Sequence, residues 1–148
     1  MSESLYNTDI LRLAASIPHH ARLSSAQATA ERRSPVCGSR VTVDVSLDEQ
    51  CRVSEVGLLV RACALGQASA SLLGQAILGR TPEELSRARD ALARWLGGEG
   101  DAPDWPGLAV LAPALGYPAR HASIRLSFEA AAEAAADAAA GMPDRSAA

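Results

Sequence analysis

The chain has 148 residues, 48% hydrophobic but only 3% aromatic, with 14 Lys+Arg against 17 Asp+Glu. That length suits one domain spanning 1–148, with a core of its own filled by aliphatic side chains and alanine. The net charge of −3 argues against nucleic acid as the main partner, because phosphate binding relies on a basic surface. No apolar run approaches the roughly 20 residues of a membrane-spanning helix. Met1–Asn7 lacks the basic-then-apolar layout of an export signal, so a cytoplasmic location is expected.

Leu5, Ile10, Leu11, Leu13, Ala14 and Ile17 recur at helical spacing until Pro18 ends the segment. Residues 18–36 are polar, with a short edge strand expected near Ala26–Glu31. Val41, Val43, Val45 and Leu47 alternate with Thr42, Asp44 and Ser46, which predicts a strand with one buried face. Asp48–Gln50 read as a turn. Val53–Val60 form a second strand, completing an antiparallel hairpin. A small-residue helix follows from Ala64, with Gly79 as its end signal. Thr81-Pro82-Glu83-Glu84 carries a cap, a first-turn proline and a capping box, and that helix is expected to reach Leu96. A short helix over Asp104–Leu115 comes next. The last helix runs from about Ala119 to Ala140, since alanine has the best helix propensity. The core is expected over about 5–140, with a frayed tail at 141–148. The elements describe an α+β chain, a small antiparallel three-stranded sheet packed against four to five helices.

Three cysteines occur, Cys37, Cys51 and Cys63. An odd count argues against a disulfide framework. If Leu47 pairs with Arg52, then Arg40 pairs with Leu59, and Cys37 and Cys63 meet at one end of the hairpin. Cys51 then lies in the turn at the other end, on the order of 30 Å away. Cys63 stands just before a helix, where free N–H groups and the helix dipole suit a negatively charged sulfur. Gly38 allows close backbone approach beside Cys37. Buried cysteines at strand ends also serve simply as small hydrophobes.

Ser34-Pro35-Val36-Cys37-Gly38-Ser39 resembles the N-P-x-C-G-D element of IscU/NifU-type iron–sulfur cluster assembly scaffolds. Ala62-Cys63-Ala64-Leu65-Gly66-Gln67-Ala68-Ser69-Ala70-Ser71 resembles their G-C-A-I-S-x-A-S-x-S element. Gly79-Arg80-Thr81 resembles their G-K-T, and Pro118–Leu126 resembles the P-x-R-x-x-C-x-x-L element around a third cysteine. Leu5-Tyr6-Asn7 with Ile10-Leu11 resembles their N-terminal segment. The resemblance covers about residues 5–135. The long interval from Cys63 to Ser123 and Pro118-Ala119-Arg120 resemble the SufU branch. The L-P-P-V-K chaperone element is absent, so a dedicated heat-shock-type chaperone partner is not expected.

The resemblance implies a site for an iron–sulfur cluster or iron, labile, or alternatively zinc, at Cys37, Ser39, Cys63 and Ser123. The family uses three cysteines and an aspartate, so two of the four positions are serine here. A serine hydroxyl is a poor substitute for a soft thiolate. His121, two residues before Ser123, is the candidate replacement ligand; His19 and His20, in the place of a family P-R-N stretch, read as surface residues. A second subunit in a homodimer or an external thiol could also complete the site. Implied partners are a cysteine desulfurase and apo-protein recipients. Three readings follow: a cluster scaffold or carrier, a SufU-like sulfur acceptor with or without zinc, and a metal-free protein-binding member. No enzyme is expected, since no phosphate-binding loop, Ser/His/Asp pattern or catalytic carboxylate pair is evident. Trp95 and Trp105 read as caps of the core, and Arg32-Arg33, Arg87 and Arg89 as solvated charge.

Overall fold

A computed structural model of the chain describes residues 5–35 and 38–142. Its elements are α1 (Thr8–Ala15), β1 (Ala28–Arg33), β2 (Arg40–Leu47), β3 (Val53–Arg61), α2 (Ala64–Ala76), α3 (Pro82–Leu96), two 3-10 helices (Leu108–Gly116 and Pro118–Arg120) and α4 (His121–Ala140). The expected α+β architecture is present. The three strands form one antiparallel sheet in the order β1-β2-β3.

Local chemistry sets the element ends. The Asn7 side chain accepts the Ile10 amide at 3.0 Å, so the first helix starts at Thr8 rather than Leu5. Thr81 Oγ1 accepts the Glu84 amide and Glu84 accepts the Thr81 amide, each at 3.2 Å, which is the expected capping box. The segment expected as a helix over Asp104–Leu115 is instead a 3-10 helix beginning at Leu108, after Gly107 at φ +82°. Pro113 lies inside it and removes an amide donor, which disfavours a continuous α-helix.

The hairpin register is two residues from the expected one: Arg40 pairs with Arg61, Val41 with Val60 and Val45 with Val56, with an irregularity at Ser46/Leu47. A shift of two keeps every side chain on its face, so the apolar stripe is as expected. Val41, Val43, Val45 and Leu58 are fully buried.

The single buried face expected for β2 is corrected. Its polar face is buried as well, with Asp44 at 0% exposure and Thr42 and Ser46 at 7%. The segment between α1 and β1 crosses that face. Leu58 N–H donates to His19 O, Leu23 N–H to Asp44 and Gln27 N–H to Val45 O. A Cβ on Gly57, the cross-strand partner of Asp44, would collide with Ala21 O and the Leu23 amide. Glycine there lets the segment lie against the sheet.

On the other face, α4 touches β1, β2, α2 and α3. A helix covered on several sides is apolar on most of its circumference, which accounts for buried Ala130, Ala131, Ala132, Ala134, Ala135 and Ala138. Trp105 meets Phe128 edge-on at 5.2 Å and donates its indole N–H to Leu72 O at 2.9 Å. None of the described helices is long and apolar enough to cross a membrane.

Candidate metal and cluster site

One end of the sheet gathers Cys63, Ser123 and Ser39, three of the positions where the family resemblance expects ligands. Cys63 follows β3 as the N-cap of α2, with an extended backbone (φ −66°, ψ 170°) and no capping bond from its side chain. The first turn of α2 carries no acidic residue, so nothing there opposes a negative ligand at the helix start. Ser123 comes from the first turn of α4, and Ser39 immediately precedes β2.

These three side chains form a chain of contacts. Cys63 Sγ lies 3.4 Å from Ser123 Oγ, and Ser123 Oγ donates to Ser39 Oγ at 3.2 Å. Ser123 and Ser39 are 1% and 5% exposed, whereas Cys63 is half-buried. The thiol is therefore the member that solvent or a partner reaches.

The packing of α2 against α4 makes this convergence possible. A Cβ on Gly66 would stand 2.5 Å from Ser123 Oγ and 2.7 Å from the Ala62 Cβ, closer than real side chains approach. One turn further along, Ser69 Oγ donates to Ile124 O at 2.6 Å in a buried hydrogen bond. Gly66 and Ser69 thus hold the two helices together beside the site. The sequence marked both only as small residues suited to tight packing; their contacts with α4 lie more than fifty residues away.

The other expected site residues fall as follows. Cys37 lies outside the described residues, in the connection between β1 and β2. Gly38 has φ +73° with nothing within 4 Å of an added Cβ, so its role is the left-handed backbone rather than the close approach expected of it. His121 opens α4, and its Nε2 is 2.9 Å from Ala114 O. That contact occupies one ring nitrogen with a backbone carbonyl. His20 Nε2 accepts the Val60 amide at 3.4 Å along the edge of β3. Cys51 sits in the β2–β3 turn at φ +62°, its Sγ 3.7 Å from Met142 Sδ, at the far end of the hairpin.

Among the described residues no three His, Cys, Asp or Glu side chains converge as a metal site. The described donors at the sheet end are one thiol and two hydroxyls. Such a set holds soft metal weakly on its own and needs further thiolates.

Residues 5–104 match the model of the NifU-like N terminal domain. The chain belongs to this family. The solved structure of a nitrogen-fixing NifU-like protein (N-terminal) from Brucella abortus is 36% identical, with a TM-score of 0.85 over 93% of this chain and 96% of that one. A protein described as an iron–sulfur cluster assembly scaffold for the SUF system, from Fervidobacterium islandicum AW-1, shares the fold at 20% identity, with a TM-score of 0.81 over 88% and 96% of the two chains. The iron–sulfur cluster assembly scaffold protein IscU of Streptococcus pyogenes serotype M1 is 27% identical over 81 residues, 55% of this chain. The alignment spans about half the length of that curated relative. For this NifU-like chain, the matches carry the scaffold-family assignment, and the ligand set must be argued from its own residues.

Proposed function

We propose that this NifU-like chain is a carrier that holds an iron–sulfur cluster as labile cargo on the Cys37 and Cys63 thiolates, with Ser123 and Ser39 forming a polar floor beneath it. The observation that carries the reading is the convergence of Cys63, Ser123 and Ser39 within 3.2–3.4 Å contacts at three of the positions where the family resemblance expects ligands. A half-buried thiol above two buried hydroxyls gives one strong donor with weak neighbours. Cargo held by too few strong donors leaves easily, which suits delivery to apo-protein recipients. The missing donors come from an external thiol or a second subunit, because the described site offers none and Cys51 is remote. The protein performs no turnover in this reading.

Anaerobic reconstitution with ferrous iron and sulfide tests it. The wild type should develop a visible chromophore that a chelator removes within minutes. Cys63→Ala and Cys37→Ala should each fail to develop it. A chromophore of equal intensity in both variants would overturn the proposal.

The partial exposure of Cys63 at a helix start favours a second reading, acceptance of sulfur from a cysteine desulfurase. The Cys63 thiolate would attack the outer sulfur of the desulfurase persulfide, forming Cys63–S–S⁻ and releasing the desulfurase thiolate. Mass spectrometry after incubation with desulfurase and cysteine should show a gain of one sulfur on Cys63. Unmodified Cys63 after full desulfurase turnover would exclude it.

A further inference from the structure

Three arginines form a lateral row at the same end of the sheet. Arg33 of β1 pairs with Arg40 of β2, and Arg40 pairs with Arg61 of β3. Directly opposite residues project from the same face. Arg40 alternates in step with Thr42 and Asp44, so the row lies on the face where Asp44 meets Arg22, opposite the helices. With strands about 4.8 Å apart, the row spans about 10 Å.

This arrangement works against the fold, because like charges directly opposite one another repel. Among the described residues only Glu31 compensates, at 3.1 Å from Arg33 Nε and 3.6 Å from Arg40 Nε. Arg61 is exposed and makes no ion pair among the described residues. Three cations against one carboxylate leave a surplus of positive charge on a chain whose net charge is −3. The three arginines, with Ser34 and Gly38, line a surface hollow of about 350 Å³. Arg61 stands two residues before Cys63, and Arg40 follows Ser39.

We propose that the Arg33–Arg40–Arg61 row is a docking strip for an acidic, carboxylate-bearing segment of a partner protein. Guanidinium forks match carboxylates in bidentate geometry. An extended segment advances about 3.3 Å per residue, so three or four residues with alternate Asp or Glu span the row. A long polyanion such as nucleic acid would run beyond the row onto the rest of a chain whose net charge is −3, which favours a short acidic peptide. Docking there sets the partner beside the cysteine end of the molecule. The inference needs no metal, so its test is separate from that of the cluster reading.

The test is fluorescence anisotropy at low salt with the full chain and a labelled eight-residue peptide of alternating Glu and Ser. The matching Gln-Ser peptide and a short single-stranded RNA are the comparison probes. The wild type should bind the Glu peptide at least about tenfold more tightly than the Gln peptide, the preference fading as salt rises. The variant carrying Arg33→Gln, Arg40→Gln and Arg61→Gln should lose that preference. A control carrying Arg87→Gln, Arg89→Gln and Arg94→Gln on α3 should keep it. Arg61→Gln alone should weaken binding while its melting temperature holds or rises, because it relieves repulsion. The proposal is overturned by no Glu-over-Gln preference in the wild type, by equal loss in the α3 control, by tighter binding of RNA than of the Glu peptide, or by a fall in the melting temperature of Arg61→Gln.

Discussion

Replacing Asp44 by alanine should destabilise the protein by about 3 kcal/mol. The Asp44 carboxylate is completely buried, and it accepts from Arg22 Nε at 2.7 Å, Arg22 Nη2 at 3.1 Å, the Leu23 amide at 2.9 Å and Thr29 Oγ1 at 2.6 Å. Arg22 is half exposed and rehydrates when its partner goes, so its loss adds little. The Leu23 amide and the Thr29 hydroxyl, on a half-buried and an exposed residue respectively, each lose a hydrogen bond to an ionised acceptor. A hydrogen bond to a charged group contributes about 1.5–3 kcal/mol, and two of them at the low end of that range give the figure above. For a chain of this size that is a fall of about 6–12 °C in melting temperature, readable by calorimetry or circular dichroism.

The pH dependence follows from the same contacts. Burial pushes the Asp44 carboxyl up, but the Arg22 and Thr29 hydrogen bonds, the Leu23 amide and the Arg22 charge outweigh it and hold the carboxyl below its ordinary value. The unfolded chain therefore takes up the proton first as pH falls. The stabilisation is full above the ordinary carboxylate value and is lost as pH drops through the folded one. Asp44→Asn should flatten this acid limb of the stability profile. A melting temperature for Asp44→Ala within 2 °C of wild type, or an unchanged acid limb in Asp44→Asn, would refute this reasoning.

Ser123→Cys should add a thiolate beside Cys63 and slow the loss of a reconstituted cluster to chelator on the order of tenfold, measured as the decay of visible absorption. Gly66→Val should cost about 2 kcal/mol or more by overpacking against Ser123 and Ala62, and should lower cluster yield by parting α2 from α4. Thr81→Ala, which removes the N-cap of α3, should cost about 1 kcal/mol, a shift of about 2–4 °C, and leave cluster loading unchanged.

Local signals were the most readable part of this sequence. Thr81, Pro82 and Glu84 act on one another within four residues, and the β2 alternation needs only its own strand. The hairpin pattern fixed which side chains share a face, but not the register, because a slip of two residues preserves every face. The five-residue turn with Cys51 at positive φ and the irregularity at Ser46/Leu47 set the true pairing. That slip concealed the opposition of Arg40 and Arg61, since the expected register paired Arg40 with Leu59. The burial of Asp44 was equally hidden, because Arg22 and the segment that covers it reach β2 from about twenty residues away. At the site, the family resemblance anticipated that Cys63, Ser39 and Ser123 would come together. The role of Gly66 depends on a contact with α4 that no pattern within α2 contains.

Metal and sulfide analysis of protein purified without exposure to oxygen, read together with its visible spectrum, tests the central claim most directly. The account predicts iron and acid-labile sulfide with visible absorption in the wild type, removed by chelator and missing from Cys63→Ala. Zinc in place of iron, or a protein without metal that is indistinguishable from Cys63→Ala, would contradict it.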